Sequence, residues 1–234
     1  MAMIVPAMPA PLQSACITPS PALPVARDVA RALDIPGVWS AGQRTQEERT
    51  RSSGLREIDS ALGGGWPEGS LIQIATDHPG LGLSLITPLL ANLTQSQRRV
   101  AIVQPPFIPY APALCSRGVD LGLVLWLQPA RAGDSLWTVE QLARSGLLGG
   151  IAYWGESMES TAERRLQLAA SEGDAIAFHF VSRSRNAHSY AAVRLEVFPS
   201  ADGVDIDVLK CRGGRAGHRL RHRCADLPSI VEAA

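Results

Sequence analysis

A chain of 234 residues that is 46% hydrophobic is long enough to bury one substantial core, and its 22 basic and 22 acidic residues cancel, so global charge singles out no partner. The apolar runs are cut by Pro, Gly or charge well short of the roughly 20 residues a membrane-spanning helix needs, and Cys16, Cys115, Cys211 and Cys224 are too scattered for a disulfide framework or a C-x-x-C redox motif. These features exclude a membrane protein and a disulfide scaffold, and they predict a cytoplasmic chain with reduced thiols.

Residues 1–45 carry prolines at positions 6, 9, 11, 19, 21 and 24 and no basic cluster ahead of an apolar stretch, which argues against a secretory signal and for a disordered start. Within them Val25 to Leu33 has helical spacing and meets a stop at Asp34-Ile35-Pro36-Gly37. A globular domain is expected over residues 46–210, with its packed part beginning near Ser52.

There the apolar segments alternate in type. Strands are expected at Leu71 to Ala75, Val100 to Val103, Leu123 to Leu127, Ile151 to Trp154 and Ile176 to Val181. Helices are expected at Leu81 to Gln97 (blemished by Pro88), Leu114 to Arg117, Ser135 to Ser145 and Ser160 to Glu172. Strands alternating with helices form right-handed parallel βαβ units. Ala192 to Phe198 and Val204 to Leu209 then alternate polar with apolar around Pro199 to Gly203, an antiparallel hairpin closing the sheet. Residues 211–234 read as an Arg-rich tail.

A phosphate would bind where the first strand turns into a helix, over Thr76-Asp77-His78-Pro79-Gly80-Leu81-Gly82-Leu83-Ser84. A working loop, GxxxxGK[ST], needs two glycines for close approach, a Lys against phosphate charge and a hydroxyl for magnesium. Here Thr76 and Leu81 stand at the glycine positions, Gly82 replaces the Lys, Leu83 replaces the hydroxyl residue, and Asp77 adds negative charge. The chain's single lysine is Lys210, so no shift of register supplies the missing cation.

Ser53 to Gly69 (SGLREIDSALGGGWPEG) resembles the entrance to the RecA core, and Gln141 to Gly146 resembles the helix preceding RecA's aspartate-bearing strand. Together with Arg99 to Pro112, the pair Leu125-Trp126 and Lys210 to Gly214, these motifs are similar to the ImuA family, RecA/SulA-like accessory proteins of the damage-induced mutagenesis cassette, over roughly residues 38 to 218. The resemblance implies a three-layer, RecA-like α/β fold of the phosphate-loop type, with a mostly parallel sheet and a degenerate phosphate loop. It places RecA's water-activating glutamate at Pro106 and its magnesium-side aspartate at Trp154. The implied protein is no ATPase and needs no cofactor. Its implied role is accessory, in SOS-induced translesion DNA synthesis, with an ImuB-like polymerase-family protein as partner and RecA, an error-prone DNA polymerase and DNA as further ones. A SulA-like division inhibitor acting on the tubulin-like FtsZ is the rival reading.

Lys210, Arg212, Arg215, Arg219, Arg221 and Arg223 form a run without an acid, suited to DNA or an acidic partner as readily as to a solvated tail. Cys211, His218, His222 and Cys224 fit no familiar zinc module, so no metal is expected. Trp126, Trp137 and Trp154 lie in apolar segments and are expected in the core, and Gly63 to Gly65 read as a tight connection.

Overall fold

The computed structural model describes residues 49–183, 189–212 and 216–223. The expected disordered start and its helix at Val25 to Leu33, together with Arg215 and Cys224, lie outside the described residues.

The chain enters through β1 (Thr50–Arg51), which pairs antiparallel with β2 (Trp66–Pro67) and so brackets helix α1 (Arg56–Leu62). Asp59 fixes this entrance by accepting from Ser52 Oγ (2.6 Å) and Ser53 N (2.7 Å). The helix buries Ile58 and Leu62, one turn apart, and stops at Gly63 in the left-handed region. A side chain at Gly65 would put its Cβ 2.3 Å from the Arg51 carbonyl oxygen, so the close β1–β2 approach explains the glycines without a ligand. Helix α1 escapes the sequence reading because REIDSAL offers only two core residues.

The central elements follow as β3 (Leu71–Ala75), α2 (Leu83–Gln95), β4 (Arg99–Val103), α3 (Ala111–Ser116), a 3-10 turn (Leu121–Leu123), β5 (Val124–Leu127), α4 (Ala132–Arg144), β6 (Leu148–Trp154), α5 (Ser160–Glu172) and β7 (Ile176–Val181). The chain closes with β8 (Val193–Pro199), β9 (Gly203–Cys211) and β10 (His218–Arg223). The eight-stranded sheet has the order β10-β9-β8-β3-β7-β6-β4-β5, parallel from β8 to β5 and antiparallel at the β8-β9-β10 end.

Strand alternation sends Ile72, Ile74, Val100, Ile102 and Phe178 against α2, and Leu71, Ala101, Ile151 and Ala177 against α4 and α5. Two cores thus sandwich one sheet. Trp66 is fully buried in the first, edge-on to Phe178 at a centroid distance of 5.1 Å. Pro88 sits inside α2 without breaking it, and its ring packs so closely that a Cβ at Gly54 would lie 2.6 Å away. Among the described residues, no helix is long and apolar enough to cross a membrane.

Two expectations change. The tail expected over residues 211–234 supplies Cys211 to β9 and all of β10, so the sheet runs past residue 210. Trp126 is 50% exposed and Trp137 63% exposed, while only Trp154 is half-buried. β5 is an edge strand, and α4 turns Leu136, Val139 and Ala143 inward, which leaves Trp137 on the opposite side. An apolar segment does not reveal which of its faces is covered.

Candidate functional site

The loop between β3 and α2 sits at the carboxyl ends of the parallel strands, the usual place for a ligand in such sheets. Thr76 is buried; its N–H donates to the Val181 carbonyl at 2.9 Å, and its hydroxyl accepts from His78 N at 3.2 Å. Asp77 faces Arg183, which donates to it from Nε (2.6 Å) and from its backbone N–H (3.1 Å). Those bonds, opposed by slight desolvation, hold the Asp77 carboxyl below the ordinary carboxylate range, so it stays ionised at neutral pH. The Arg183 guanidinium also lies 4.8 Å over the Phe198 ring, linking the loop to β8.

Gly80 and Gly82 take positive φ angles of 83° and 93°. A Cβ on Gly82 would lie 3.2 Å from Ile74 Cγ2 and 3.3 Å from Phe180 Cε1. Phe180 in turn stacks on Trp154 with centroids 4.3 Å apart and planes 6° from parallel. Leu83, where the magnesium hydroxyl would stand, packs on the core.

A notch of about 150 Å³ opens here, lined in part by Thr76, Asp77, Gly80, Pro106 and Trp154. The fold therefore gathers the loop residues with Pro106 and Trp154, positions that the sequence places in three separate segments. The notch wall is aromatic and proline-rich, its one charged lining residue is an acid, and the nearest cation is already paired. Such a surface offers a polyphosphate no unpaired cation among its lining residues.

Behind the notch, His179 is fully buried and stacks on Tyr153 at 5.3 Å. Burial lowers its pKa to about 4; the backbone at Glu156 and Gly155 opposes part of that shift but makes no well-aligned bond to either ring nitrogen. The sequence reading missed this residue, because one His in the apolar run IAFHFV carries no signal beyond its own polarity.

The basic run is not a uniform patch. Arg219 forks onto Asp207 (2.6 and 2.8 Å), Arg221 onto Asp205 (2.7 and 3.3 Å), and Arg223 pairs with Asp202 at 3.0 Å. These hydrogen bonds depress the carboxyls of Asp205 and Asp207. Lys210 donates to the Ser189 carbonyl at 2.6 Å, and Arg212 is exposed. The cross-strand acids were visible as VDIDVL facing HRLRHR, alternation on alternation, once the second segment is read as a strand. Among the described residues, no group of three or more His, Cys, Asp or Glu could hold a metal. Cys211 points to the Leu62 carbonyl and His222 is buried in the sheet.

The opposite margin of the sheet is β5, VLWL, with Leu125 and Trp126 exposed. Near the notch, Phe107, Ile108 and Tyr110 are also exposed, and Phe107 reaches to within 3.2 Å of a Cβ built on Gly80.

No family model and no curated protein matches the chain. Among solved structures it is similar to the RadB recombinase, with a TM-score of 0.59 at 14% identity over 74% of this chain and 94% of that one. That likeness, with the strand order and flanking helices above, makes this a RecA-like α/β fold with a mostly parallel sheet closed by antiparallel strands.

Proposed function

We propose that the protein is a non-catalytic RecA-like accessory factor in SOS-induced translesion DNA synthesis, working through contacts with other proteins. The observation that carries this reading is the notch. Asp77, Pro106 and Trp154 meet where a nucleotide's phosphates, attacking water and magnesium would have to be held, and no unpaired cation lines it. A RecA-like scaffold with that chemistry removed keeps its surfaces for recognition.

The open β5 margin, with Leu125 and Trp126, is the surface this reading assigns to an ImuB-like partner, which would add an extended segment to the sheet. RecA and an error-prone polymerase complete the partner set, as the sequence resemblance implies. Direct DNA contact is assigned to Lys210, Arg212 and Arg215 rather than to Arg219, Arg221 and Arg223, whose charge is matched by neighbouring aspartates.

The test is affinity capture of the tagged full chain from DNA-damaged cells, with Trp126 intact or replaced by Lys, alongside calorimetric titration with ATP and magnesium. Recovery of the ImuB-like protein that falls with W126K, and no heat from ATP, is expected. Saturable ATP binding with hydrolysis overturns the non-catalytic reading, and recovery of FtsZ makes the protein a division inhibitor.

A further inference from the structure

Between β4 and α3 the chain runs out as a short arm, Pro105 to Pro112, and leaves three large side chains to solvent. Phe107 is 65% exposed, Ile108 77% and Tyr110 72%. Neighbouring apolar groups at this exposure mark a surface that another body covers. The arm is braced rather than loose. At its base Gln104, at a φ of 52°, donates its N–H to the Leu127 carbonyl at 2.9 Å and accepts at Oε1 from the Ser135 hydroxyl. At its far end the Tyr110 carbonyl accepts from Ala113 N at 3.0 Å as α3 begins. Prolines 105, 106, 109 and 112 fix φ in and around this stretch, so little conformational freedom is lost when the arm is bound.

Beside the arm lies the notch. Pro106 belongs to both, and Phe107 lies over Gly80 on the notch rim. A volume of about 150 Å³ is that of a cavity able to take one benzene ring, so the notch has room for a single side chain. Pro79, Pro106 and Trp154 give it apolar walls. The exposure of Ile108 and Tyr110 shows that neither fills the notch of its own copy. A projection and a recess side by side on one surface are what a two-fold interface requires, since each copy then gives and receives the same contact. A body that only filled the notch would leave the arm bare; a second copy of this chain covers both. Charge agrees with that occupant. A two-fold axis brings each group near its own duplicate, so an unpaired charge beside the axis repels itself. From Gln104 to Ser116 there is no charged residue, and the notch's one charged lining residue, Asp77, is already paired with Arg183 at 2.6 Å.

We propose that arm and notch form a closed two-fold interface between two copies of this chain, Ile108 of each copy entering the notch of the other while Phe107 and Tyr110 close the rim. The net charge of zero adds no long-range repulsion between the copies. The inference stands apart from the functional reading above, since it uses neither the β5 margin nor any other protein.

The experiment is sedimentation velocity on the full-length protein over about 1 to 100 µM. The 24.9 kDa monomer is expected to give way to a species of twice that mass as concentration rises, and to nothing larger, because a closed two-fold contact uses both arms and both notches. I108K puts a charge on the arm, and S182W fills the notch from an exposed position on its lining. Each should weaken the dimer about tenfold or more while leaving the urea midpoint unchanged. W126K, on β5, should leave the dimer intact, which keeps a failure of this inference apart from a failure of the partner assignment at that margin. A chain that stays monomeric throughout, a dimer that survives I108K or S182W, one that is lost in W126K, or growth past two copies overturns the proposal.

Discussion

The two margins of the sheet are finished in opposite ways. At one end β10 presents three arginines, each matched by an aspartate at 2.6 to 3.0 Å, while its other face buries His222 against the core. At the other end β5 is four apolar residues without a charge or a proline, and Leu125 and Trp126 are exposed on opposite faces. An unpaired strand edge is a template for another chain, and charge is a common device for blunting it. The β10 margin carries that device and the β5 margin does not. Among the described residues one margin of the sheet is guarded by paired charge and the other is not.

The sharpest way to break this comparison is to truncate matched aliphatics near each end. Ile206→Ala, in the fully buried face of β9, is expected to cost about 2–5 kcal/mol in urea unfolding, as a cavity in a closed core does. Leu125→Ala, which is 40% exposed on β5, should cost well under half as much. Equal losses would mean that the β5 margin is covered in the free protein.

Between the margins, His179 sets a pH dependence that belongs to the middle of the sheet. Its folded pKa of about 4 lies below its unfolded value near 6.5, so the unfolded chain binds the extra proton. The stability is fully present above pH 6.5 and is lost progressively as pH falls toward 4, by about 3 kcal/mol in total. Thermal or urea unfolding across that range measures it, and His179→Phe should flatten the curve.

A smaller effect is expected at the bare margin itself. Trp126→Lys installs the charge that β5 lacks, and should lower partner capture about tenfold while leaving the urea midpoint nearly unchanged. The smallest concerns β10. The double change D205N and D207N leaves Arg219 and Arg221 without their acids, and should raise affinity for single-stranded DNA with a steeper salt dependence, read by fluorescence anisotropy.

Much of the fold was legible because local pattern and tertiary role agree. Leu71–Ala75, Ser160–Glu172 and Ile176–Val181 fall where the apolar runs and helical spacing put them. The notch was legible in its parts, since the resemblance singled out Thr76, Pro106 and Trp154 in three separate segments and the fold brings them to one notch. Pairing between distant segments was not. HRLRHR reads as a charged tail until its register with VDIDV is known, and Trp126 reads as core until β5 is known to be an edge. His179 was hidden for the same reason, because its stacking partner Tyr153 lies on another strand.

Gly82 carries a further consequence for the history open to this chain. A lysine at that position would have to adopt a φ near 93°, and its Cβ would press on Ile74 and the Phe180 ring that underlies Trp154. A lysine there is therefore strained in its backbone, and Ile74 and Phe180 have to give by a few tenths of an ångström to admit it.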